Sequence, residues 1–574
     1  MSITDVRAQP IPSNHASFEA PPGFEEPPGY GVIENHLNAG FGILFRDRKA
    51  AEDYLQEPLV TAPLGCVSKQ RPDSTWKHRV ILDLRMNAVN QAASLPERQV
   101  LPTCYQHAAD LAQLAREGER TQTAQRTVST MILDFRDAFM GIPLAQSEWA
   151  FNACEVKKPI RRTRPPATTD EAEEGRVIVW TVLGFGGRAN PLVFARCAAF
   201  ACRSAQGLLR PSWGASGCTS AGPTRLQMYV DDPVATTLGT PEETATAIDL
   251  IMLWWMLLGI PLALPKGVLS DGEHTWIGAL YTLRASPRGW SAVVTVPQKF
   301  ADELYELLGE FSRGQGHVSK TTVEKVLGKA GRLAYVIPPA RAFVGALWGA
   351  FGAAREAARQ NRREAPPGRF ATRRFAKSAA WLRTLLRPET GEELMPLEQI
   401  VETCVEPIDP ADGMVTFDAC PFGGGAVLHR QGAPTEYFVT AWSRQMADEV
   451  GENLGDPAGQ STWEYLTLYI ALLVWGSRFR HSGLALVGDN TASLSAAVSG
   501  KGKRGMNHIS AEIAWRKVRF SWRYAVSHLP TEHNSVADHL SRMASPDGPH
   551  ELPSELATAR RVEDLLHASW WKCL

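Results

Sequence analysis

Cysteine is scarce in this chain, with nine residues among 574. So few scattered cysteines exclude a disulfide-stapled scaffold, which packs them densely into a short chain. None forms a C-x-x-C pair that has a second pair or histidines downstream, so the pattern also argues against a structural zinc site. The fold must therefore be held by ordinary hydrophobic cores, and the chain is long enough for three or four of them.

Long apolar runs are also missing. The longest spans residues 250–264 and is interrupted by Gly259 and Pro261, which leaves it short of the roughly 18–20 residues that cross a bilayer. The first ten residues do not combine a basic stretch with an apolar one, so no secretory signal is indicated. These observations predict an intracellular protein, in the cytoplasm or nucleus, that is neither secreted nor membrane-bound.

Net charge is close to zero, with 60 Lys and Arg against 61 Asp and Glu, which excludes a histone-like polycation. The charge is nevertheless segregated, because a basic block at 355–387 is followed by an acidic block at 389–412. The basic block has two interpretations that the sequence leaves open: a solvated helical face, or a surface that binds phosphates.

Changes in composition divide the chain into five segments. Pro-rich residues 1–55 predict a poorly ordered leader, and two stretches in which short apolar runs alternate with helical patterns predict mixed α/β domains on either side of a helical, charged region. The predicted segments are 1–55, 56–295 (α/β), 296–410 (helical, then a charged linker), 411–545 (α/β) and 546–574 (a tail).

Acidic residues follow two apolar strands in the first α/β segment. Asp134 ends one strand, and Asp231 and Asp232 form a turn after another. Adjacent carboxylates repel, so a cation is expected to offset them, and Mg²⁺ is the hard ion that prefers oxygen ligands, with Mn²⁺ as an alternative. Two such ions can activate a 3′-hydroxyl and stabilise a leaving pyrophosphate. An isolated Asp-Asp pair is more often an exposed turn, so the context decides.

That context resembles the reverse transcriptase family. YVDD at 229–232 is similar to its polymerase box, and LDFRDAFMGIPL at 133–144 is similar to the box that precedes it. The resemblance implies that Asp134, Asp231 and Asp232 hold the metals and that Asp137 lies near the triphosphate. It also places Phe139 at the steric gate, which excludes a 2′-hydroxyl and so implies deoxynucleotide substrates.

Other segments of the chain resemble further boxes of the family, in the family's order. Residues 69–85 resemble the basic fingers hairpin, with Arg79 as the best triphosphate match and Lys69 and Lys77 as looser ones. Residues 183–194 resemble the template and nucleotide box, which implies binding roles for Phe185 and Gly186, although Gly184 replaces the usual proline and Ala189-Asn190 reverses the usual order. Lys266 matches the lysine that protonates pyrophosphate, and residues 276–278 match the primer-grip turn.

A second set of acids comes from four separate elements in segment 411–545: Asp418, Glu464, Asp489 and Asp538. Four such acids suit a second two-metal site that uses water as the nucleophile, although singly each reads as a helix cap or a turn. Their order resembles the ribonuclease H domain of retroelement polymerases, and NSVADHLSR at 534–542 is similar to gypsy-type and DIRS-type elements. His528 then matches a histidine that assists product release.

The sequence thus predicts an RNA-directed DNA polymerase of a retroelement, a right-hand fold of fingers, palm and thumb followed by a ribonuclease H-like mixed-sheet domain. The implied partners are an RNA template, a DNA primer, an RNA/DNA hybrid and dNTPs. Three alternatives remain: a degenerate copy that binds nucleic acid without catalysis, a polymerase with an inactive nuclease domain, and an RNA-dependent RNA polymerase. Host, priming and oligomeric state are not indicated.

Overall fold

The computed structural model has a mixed α/β architecture divided into two compact units. The first comprises Met1–Pro102 and Leu114–Gly272, and the second comprises Thr103–Gln113 and Glu273–Leu574. The α/β class predicted from the sequence is confirmed. The structure describes the whole chain except residues 1, 72, 122–124, 165–170, 210–220, 287–288, 361, 363, 389–394, 403–406, 481, 504 and 564–574.

The first unit carries three separate sheets, with strand orders β1-β6-β5, β2-β3 and β7-β8-β4-β9. The strands are β1 (Gly42–Phe45), β2 (Leu64–Gln70), β3 (Trp76–Leu82), β4 (Thr127–Ile132), β5 (Ala153–Arg161), β6 (Glu174–Trp180), β7 (Thr224–Tyr229), β8 (Asp232–Gly239) and β9 (Val268–Ser270). The helices are α1 (Ile3–Arg7), α2 (Ala16–Glu19), α3 (Gly29–Asn38), α4 (Arg48–Leu55), α5 (Val89–Ala92), α6 (Cys104–Thr121, whose first part belongs to the second unit), α7 (Gln146–Trp149), α8 (Asn190–Leu208) and α9 (Pro241–Leu257).

The second unit has sheets of order β10-β11-β12-β15, β13-β14 and β20-β19-β16-β17-β18-β21. The strands are β10 (His274–Trp276), β11 (Ala279–Ser286), β12 (Gly289–Thr295), β13 (His317–Ser319), β14 (Arg369–Ala371), β15 (Glu398–Val401), β16 (Met414–Cys420), β17 (Gly423–Arg430), β18 (Ala433–Ala441), β19 (Leu484–Gly488), β20 (Tyr524–His528) and β21 (Arg560–Arg561). The helices are α10 (Gln298–Ser312), α11 (Lys320–Val336), α12 (Arg341–Arg359), α13 (Ala376–Leu386), α14 (Arg444–Val450), α15 (Gln460–Trp475), α16 (Thr491–Ser499), α17 (Met506–Arg519) and α18 (Ser535–Arg542).

The β7–β8 hairpin shows how local pattern produces a buried sheet. Burial alternates along β7, whose inward residues Leu226 and Met228 pack with Phe194 of α8 and Trp255 of α9. Such alternation is typical of a strand with one face on a core. Strand β8 is buried from Pro233 onward. The turn that joins β7 to β8 is therefore where β8 reaches solvent.

Residues 2–55 differ from the predicted poorly ordered leader. They form α1 to α4 and β1, which pairs antiparallel with β6. Phe18, Ile33 and Leu37 are fully buried in one core cluster with residues of β2 and β3. Proline-rich composition pointed to disorder, but the prolines at 21–28 lie between helices, and the apolar residues around them supply one wall of the core.

The end of the first α/β segment also differs from the predicted boundary at residue 295. Strands β11 and β12 form a hairpin, and β12 pairs with β15, with Ala292 opposite Val401. This pairing over a long sequence separation places residues 273–295 in the second unit, and no local pattern could reveal it. In the predicted tail, β21 adds to β18 in parallel, while residues 564–574 lie outside the described part of the chain.

Phe18 provides a test of the role of the N-terminal segment. Because its ring is 0% exposed, Phe18→Ala is expected to lower the free energy of unfolding of the first unit by about 3–5 kcal/mol. Ile11, which is 61% exposed in the same segment, is the matched control, and Ile11→Ala should change stability by less than about 0.5 kcal/mol. Denaturant titration of both variants checks the expectation, and equal small effects would show that this segment does not contribute to the core.

Candidate active sites

Three of the predicted acids converge at the exposed end of the β7-β8-β4-β9 sheet. The Leu133 amide donates to the Pro233 carbonyl at 3.3 Å, and the Phe135 amide donates to the Asp231 carbonyl at 3.2 Å. Asp134 lies between these two amides, beside the turn that carries Asp231 and Asp232, and its charge acts on both carboxylates. We call these three aspartates the first acidic centre.

The turn itself holds an unusual backbone conformation. Val230 lies between paired residues Tyr229 and Asp232 and has φ +57°. A β-branched residue in the left-handed region is a genuine outlier, and such strain persists only where surrounding structure over-determines it. The strained valine presents both aspartates at the tip of the hairpin.

Burial, together with neighbouring carboxylates, shifts the protonation of Asp231 and Asp232. Burial is the main cause that raises the pKa of Asp231, and the charge of Asp134 adds to it. Although Asp232 is solvent-accessible at the rim, protein surrounding its carboxyl group, together with the charges of Asp231 and Asp134, raises its pKa to about 6. A cation at this position would relieve both the desolvation and the repulsion.

Lys266 supplies one positive charge to this centre. Its ammonium forms an ion pair with the Asp134 carboxylate, and the chain is fixed there because the Ala263 amide donates to the Asp134 carbonyl at 2.9 Å. The ligand atoms of Asp134, Asp231 and Asp232 are not all within 4.8 Å of one another. The oxygen-rich donor set suits Mg²⁺ or Mn²⁺. If all three acids are to bind one ion, the ion pair between Asp134 and Lys266 must break first.

The predicted cations share one face of the β2–β3 hairpin. Lys69 is paired with Lys77 and Val67 with Arg79, and side chains two residues apart along a strand point the same way. Burial and then the charges of Arg79 and Lys266 lower the pKa of Lys77. The same two charges also lower the pKa of Asp231 and so oppose the increase that burial causes there. This face of the hairpin is therefore electrostatically coupled to the acids.

Aromatic rings form the wall beside these cations. Phe139 stacks on Phe194 with ring centroids 4.8 Å apart and lies 5.7 Å from the ring of Phe185. The Arg79 guanidinium sits 5.4 Å from the Phe185 ring centroid, a cation–π distance. Phe139 is thus partly buried and held from one side.

Asp137 is exposed with φ +50°, and its charge acts on His36.

Gly186 is required by close backbone packing. It has φ +130°, and a Cβ there would lie 1.8 Å from the Leu82 carbonyl oxygen at the end of β3. The neighbouring Phe185 carbonyl accepts the Leu82 amide at 2.9 Å. The two residues therefore attach the aromatic wall to the basic hairpin.

Replacing Gly186 tests this attachment. Gly186→Ala is expected to destabilise the first unit by about 1–3 kcal/mol through backbone strain alone, and more because the clash must separate the loop from β3. Gly184→Ala is the control, since its Cβ would meet nothing within 4 Å. Thermal melting of both variants decides the point, and two equal, small shifts would contradict it.

A second acidic centre lies in the six-stranded sheet. Ligand atoms of Asp418, Glu464 and Asp489 lie within 4.8 Å of one another, and this is the group of three that meets that spacing among the described residues. Asp418 is on β16, Glu464 on α15, and Asp489 directly follows β19. Since β16 and β19 are parallel, the second half of β16 and the end of β19 bring their acids to the same edge of the sheet.

Gly425 in strand β17 allows α18 to approach this edge of the sheet. A Cβ at Gly425, which is paired with Asp418, would lie 2.4 Å from the Cβ of Leu540. Glycine therefore lets α18 pack directly on β17. From α18 the Ser541 hydroxyl donates to Asp418 Oδ2 at 2.8 Å, a contact that the sequence analysis missed even though Ser541 lies within the NSVADHLSR motif.

Burial makes this centre more strongly perturbed than the first. Asp418 is 6% and Glu464 2% exposed. Desolvation, opposed by hydrogen bonds, raises the pKa of Asp418 to about 6, and desolvation and then the charge of Asp418 raise the pKa of Glu464 well above its ordinary value. Gln460, also missed, donates to Glu464 Oε1 at 3.0 Å, whereas the buried Oε2 accepts no hydrogen bond.

These observations fit a divalent cation site. Three carboxylates from separate elements converge, and a buried carboxylate oxygen without a donor is expensive unless a cation takes its place. The donor set consists of oxygens, which Mg²⁺ and Mn²⁺ prefer. The predicted roles of Asp418, Glu464 and Asp489 are therefore chemically consistent with their placement.

Asp538 and His528 lie at the margin of this centre. The charge of Asp538 acts on Asp418, but its carboxylate is bound by Arg542 at 2.8 Å and is not part of the group within 4.8 Å. His528 is exposed at the end of β20, paired with Gly488 just before Asp489.

The predicted primer-grip turn forms a tight loop in the second unit, where a Cβ at Gly278 would overlap the Arg332 guanidinium.

The second centre predicts a pH-dependent response to metal. The unfolded chain releases the protons of Asp418 and Glu464 near pH 4. The folded protein retains them, on Asp418 up to about pH 6 and on Glu464 well above its ordinary pKa, so without metal its stability falls as pH rises above about 4. Divalent cations compete with these protons. In an Asp232→Asn background, millimolar Mn²⁺ should therefore stabilise the second unit at pH 7.5 by about 1–3 kcal/mol and much less at pH 5.

Glu464→Gln should abolish that stabilisation and raise the metal-free melting temperature at pH 7.5, because it removes a buried like-charge repulsion. Asp448→Asn on α14, an exposed carboxylate, is the control and should respond to metal like its parent. Calorimetry at both pH values measures the effect. A metal response that is unchanged in the Glu464→Gln variant would exclude this group as the ligand set.

No protein-family model matches this sequence, and no curated protein matches it. Among solved structures, it is similar to a foamy viral protease-reverse transcriptase dRH in complex with double-stranded DNA, at 15% identity, 92% coverage of this chain, 72% of that chain and a TM-score of 0.43. It is also similar to the foamy viral protease-reverse transcriptase in complex with an RNA/DNA hybrid, at 15% identity, 91% and 55% coverage and a TM-score of 0.40.

In the described part of the chain, every helix is too short or too polar to span a membrane. The function proposed below rests on the residues of the two centres and on their geometry.

Proposed function

We propose that this chain is an RNA-directed DNA polymerase of a retroelement with a ribonuclease H-like activity in its second unit. The observation that carries the proposal is the presence of two separate acidic centres, each assembled from distant parts of the chain, of which the first is coupled to a basic hairpin. In this assignment the first unit corresponds to fingers and palm, and helices α10 to α13 correspond to thumb and connection.

At the first centre, Asp134, Asp231 and Asp232 would hold two Mg²⁺ or Mn²⁺ ions. When bound, these ions would activate the primer 3′-hydroxyl and stabilise the leaving pyrophosphate. Arg79, Lys69 and Lys77 would bind the triphosphate oxygens of the incoming dNTP, for which a row of cations on one hairpin face is suited.

The aromatic wall would select the sugar. Phe139 is fixed by stacking on Phe194, so a ring at this place cannot easily move aside for a 2′-hydroxyl, and this favours dNTPs over rNTPs. Gly186 would bring backbone close to the nucleotide and template, while Lys266 would release Asp134 and give a proton to the departing pyrophosphate. Asp137, exposed on the adjoining loop, would lie near the triphosphate.

At the second centre, Asp418, Glu464 and Asp489, with Asp538 after its release from Arg542, would hold the ions for hydrolysis of the RNA strand of a hybrid. Gln460 and Ser541 would orient the two buried acids through the hydrogen bonds described above. His528, accessible beside the end of β19, would assist product release. The raised pKa values favour activity that increases with pH above about 6.

Paired variants test the two activities independently. Asp232→Asn should lower dNTP incorporation on an RNA-templated DNA primer by about 10³-fold or more, since metal ligands contribute several kcal/mol to the transition state, and it should leave RNA cleavage in a preformed hybrid unchanged. Asp418→Asn should do the reverse. Primer extension and hybrid cleavage with Mg²⁺ measure both.

Asp249→Asn, an exposed acid on α9, is the control for the removal of a negative charge and should affect neither reaction. A well-folded parent that binds template and primer but extends no primer would support a degenerate copy instead. Extension that survives in the Asp418→Asn variant alongside a parent without RNA cleavage would restrict the second unit to a structural role.

A further inference from the structure

A large cleft lies within the second unit, and its lining does not include the acids of the second acidic centre. Helices α11 and α12 and strand β15 form one side, and α16, α17 and the start of β20 form the other. Its volume is about 1370 Å³, which exceeds the roughly 300–1,000 Å³ of typical small-molecule pockets. The size and open shape suit a segment of polymer better than a single metabolite.

Positive charge dominates the cleft walls. Glu398 and Glu402 are its acids, and Glu398 is already held by Arg284 through contacts of 2.6 and 2.9 Å. Its basic residues are Arg341, Arg480, Lys501, Lys517 and Arg523. Within the described part of the chain, Arg341, Lys501 and Lys517 form no ion pair, so they are available to an anionic occupant. Lys501 follows the end of α16.

Lys517 shows that the cleft is deep as well as basic. Its side chain is solvent-accessible, yet surrounding protein lowers the pKa of its ammonium, which lies 4.9 Å from the centre of the Tyr524 ring. Accessible but enclosed cations gain more from an anion than fully hydrated ones, because less solvent screens the interaction. A phosphate backbone would supply such anions at regular intervals.

Exposed apolar surface lies beside these cations. The Trp348 ring is 52% exposed and borders the cleft, together with Val498, which is 75% exposed, and Ile400. Trp348 is also positioned by the Phe351 ring at 6.2 Å. Aromatic rings next to cations are typical of surfaces that stack unpaired bases while binding their phosphates. A duplex keeps its base faces stacked inside and cannot use this ring in the same way.

Strand β20 runs from the cleft to the second acidic centre. The strand starts at Tyr524 in the cleft and ends at His528 beside Asp489. Four residue steps of about 3.3 Å put these ends roughly 13 Å apart. An occupant of the cleft therefore does not need to occupy the second acidic centre.

We propose that this cleft binds a single-stranded segment of RNA or DNA, with Trp348 as a base-stacking platform and Arg341, Lys501 and Lys517 as phosphate contacts. This site goes beyond the polymerase and nuclease activities and does not require either centre to be catalytic. It gives the second unit a means of holding an unpaired strand apart from the hybrid.

The test compares single-stranded and duplex binding by the full-length chain. A fluorescent oligothymidylate of about 12 nucleotides is within the usual size range of single-strand sites. Trp348→Ala is expected to weaken its binding about tenfold, since loss of a stacked base costs that much or more, whereas binding of a blunt duplex changes less than about twofold. Trp348→Phe should retain most of the affinity and Trp348→Leu should not.

The charge contribution is measured by salt titration. Lys501→Gln and Lys517→Gln should each reduce the slope of log affinity against log salt by about 0.7 for the single strand. Tyr105→Ala, 50% exposed but outside the cleft, and Lys320→Gln are controls that should match the parent. Thermal melting confirms that each variant is folded.

Two results would overturn the proposal. Unchanged oligothymidylate binding in the Trp348→Ala and lysine variants would show that the strand binds elsewhere. Equal losses for the single strand and the duplex would make the cleft part of a duplex-binding surface instead. An Asp232→Asn, Asp418→Asn double variant should bind the oligonucleotide like the parent, so failure of either catalytic assignment leaves this site testable by itself.

Discussion

Repulsion between carboxylates that the fold forces together is the constraint on which both acidic centres depend. Asp418 and Glu464 are buried within ligand distance of each other and of Asp489, and they remain there because strand and helix packing fixes their backbones. Burial desolvates Asp418 and, together with the charges of Asp489 and Asp538, raises its pKa to about 6, so that without a cation a retained proton offsets the charge. A protein optimised for stability alone would not place acids in this way.

Basic side chains balance part of this charge in each centre. Lys266 binds Asp134 in the first, and Arg542 binds Asp538 in the second. In both cases the pairing holds one predicted metal ligand apart from the others. The two units therefore share an arrangement, on unrelated elements of secondary structure, in which a basic residue would have to be displaced before the paired acid could bind a cation.

Close backbone contact is what delivers these side chains. Gly186 attaches its loop to β3, and Gly425 allows α18 to pack on β17, in each case because a Cβ would overlap a neighbouring atom. The sequence analysis identified the segment of Gly186 by its resemblance to a known box, whereas the packing role of Gly425 emerged only from the structure. It could not identify Gln460 or Ser541 as partners of Glu464 and Asp418, since a hydrogen bond between distant elements has no signature in local spacing.

By itself the sequence determined the α/β class, the apolar strands that end in acids and the order of the motifs, because each depends on residues close together in the chain. Tertiary structure alone decided that residues 2–55 are folded, that β12 pairs with β15 and that Asp538 lies outside the cluster of three acids. The first two outcomes depend on contacts between distant segments, which local pattern does not reveal. The Asp538–Arg542 ion pair spans only four residues of α18 and is local, but the distance of Asp538 from the other acids depends on where α18 packs against β16 and β17.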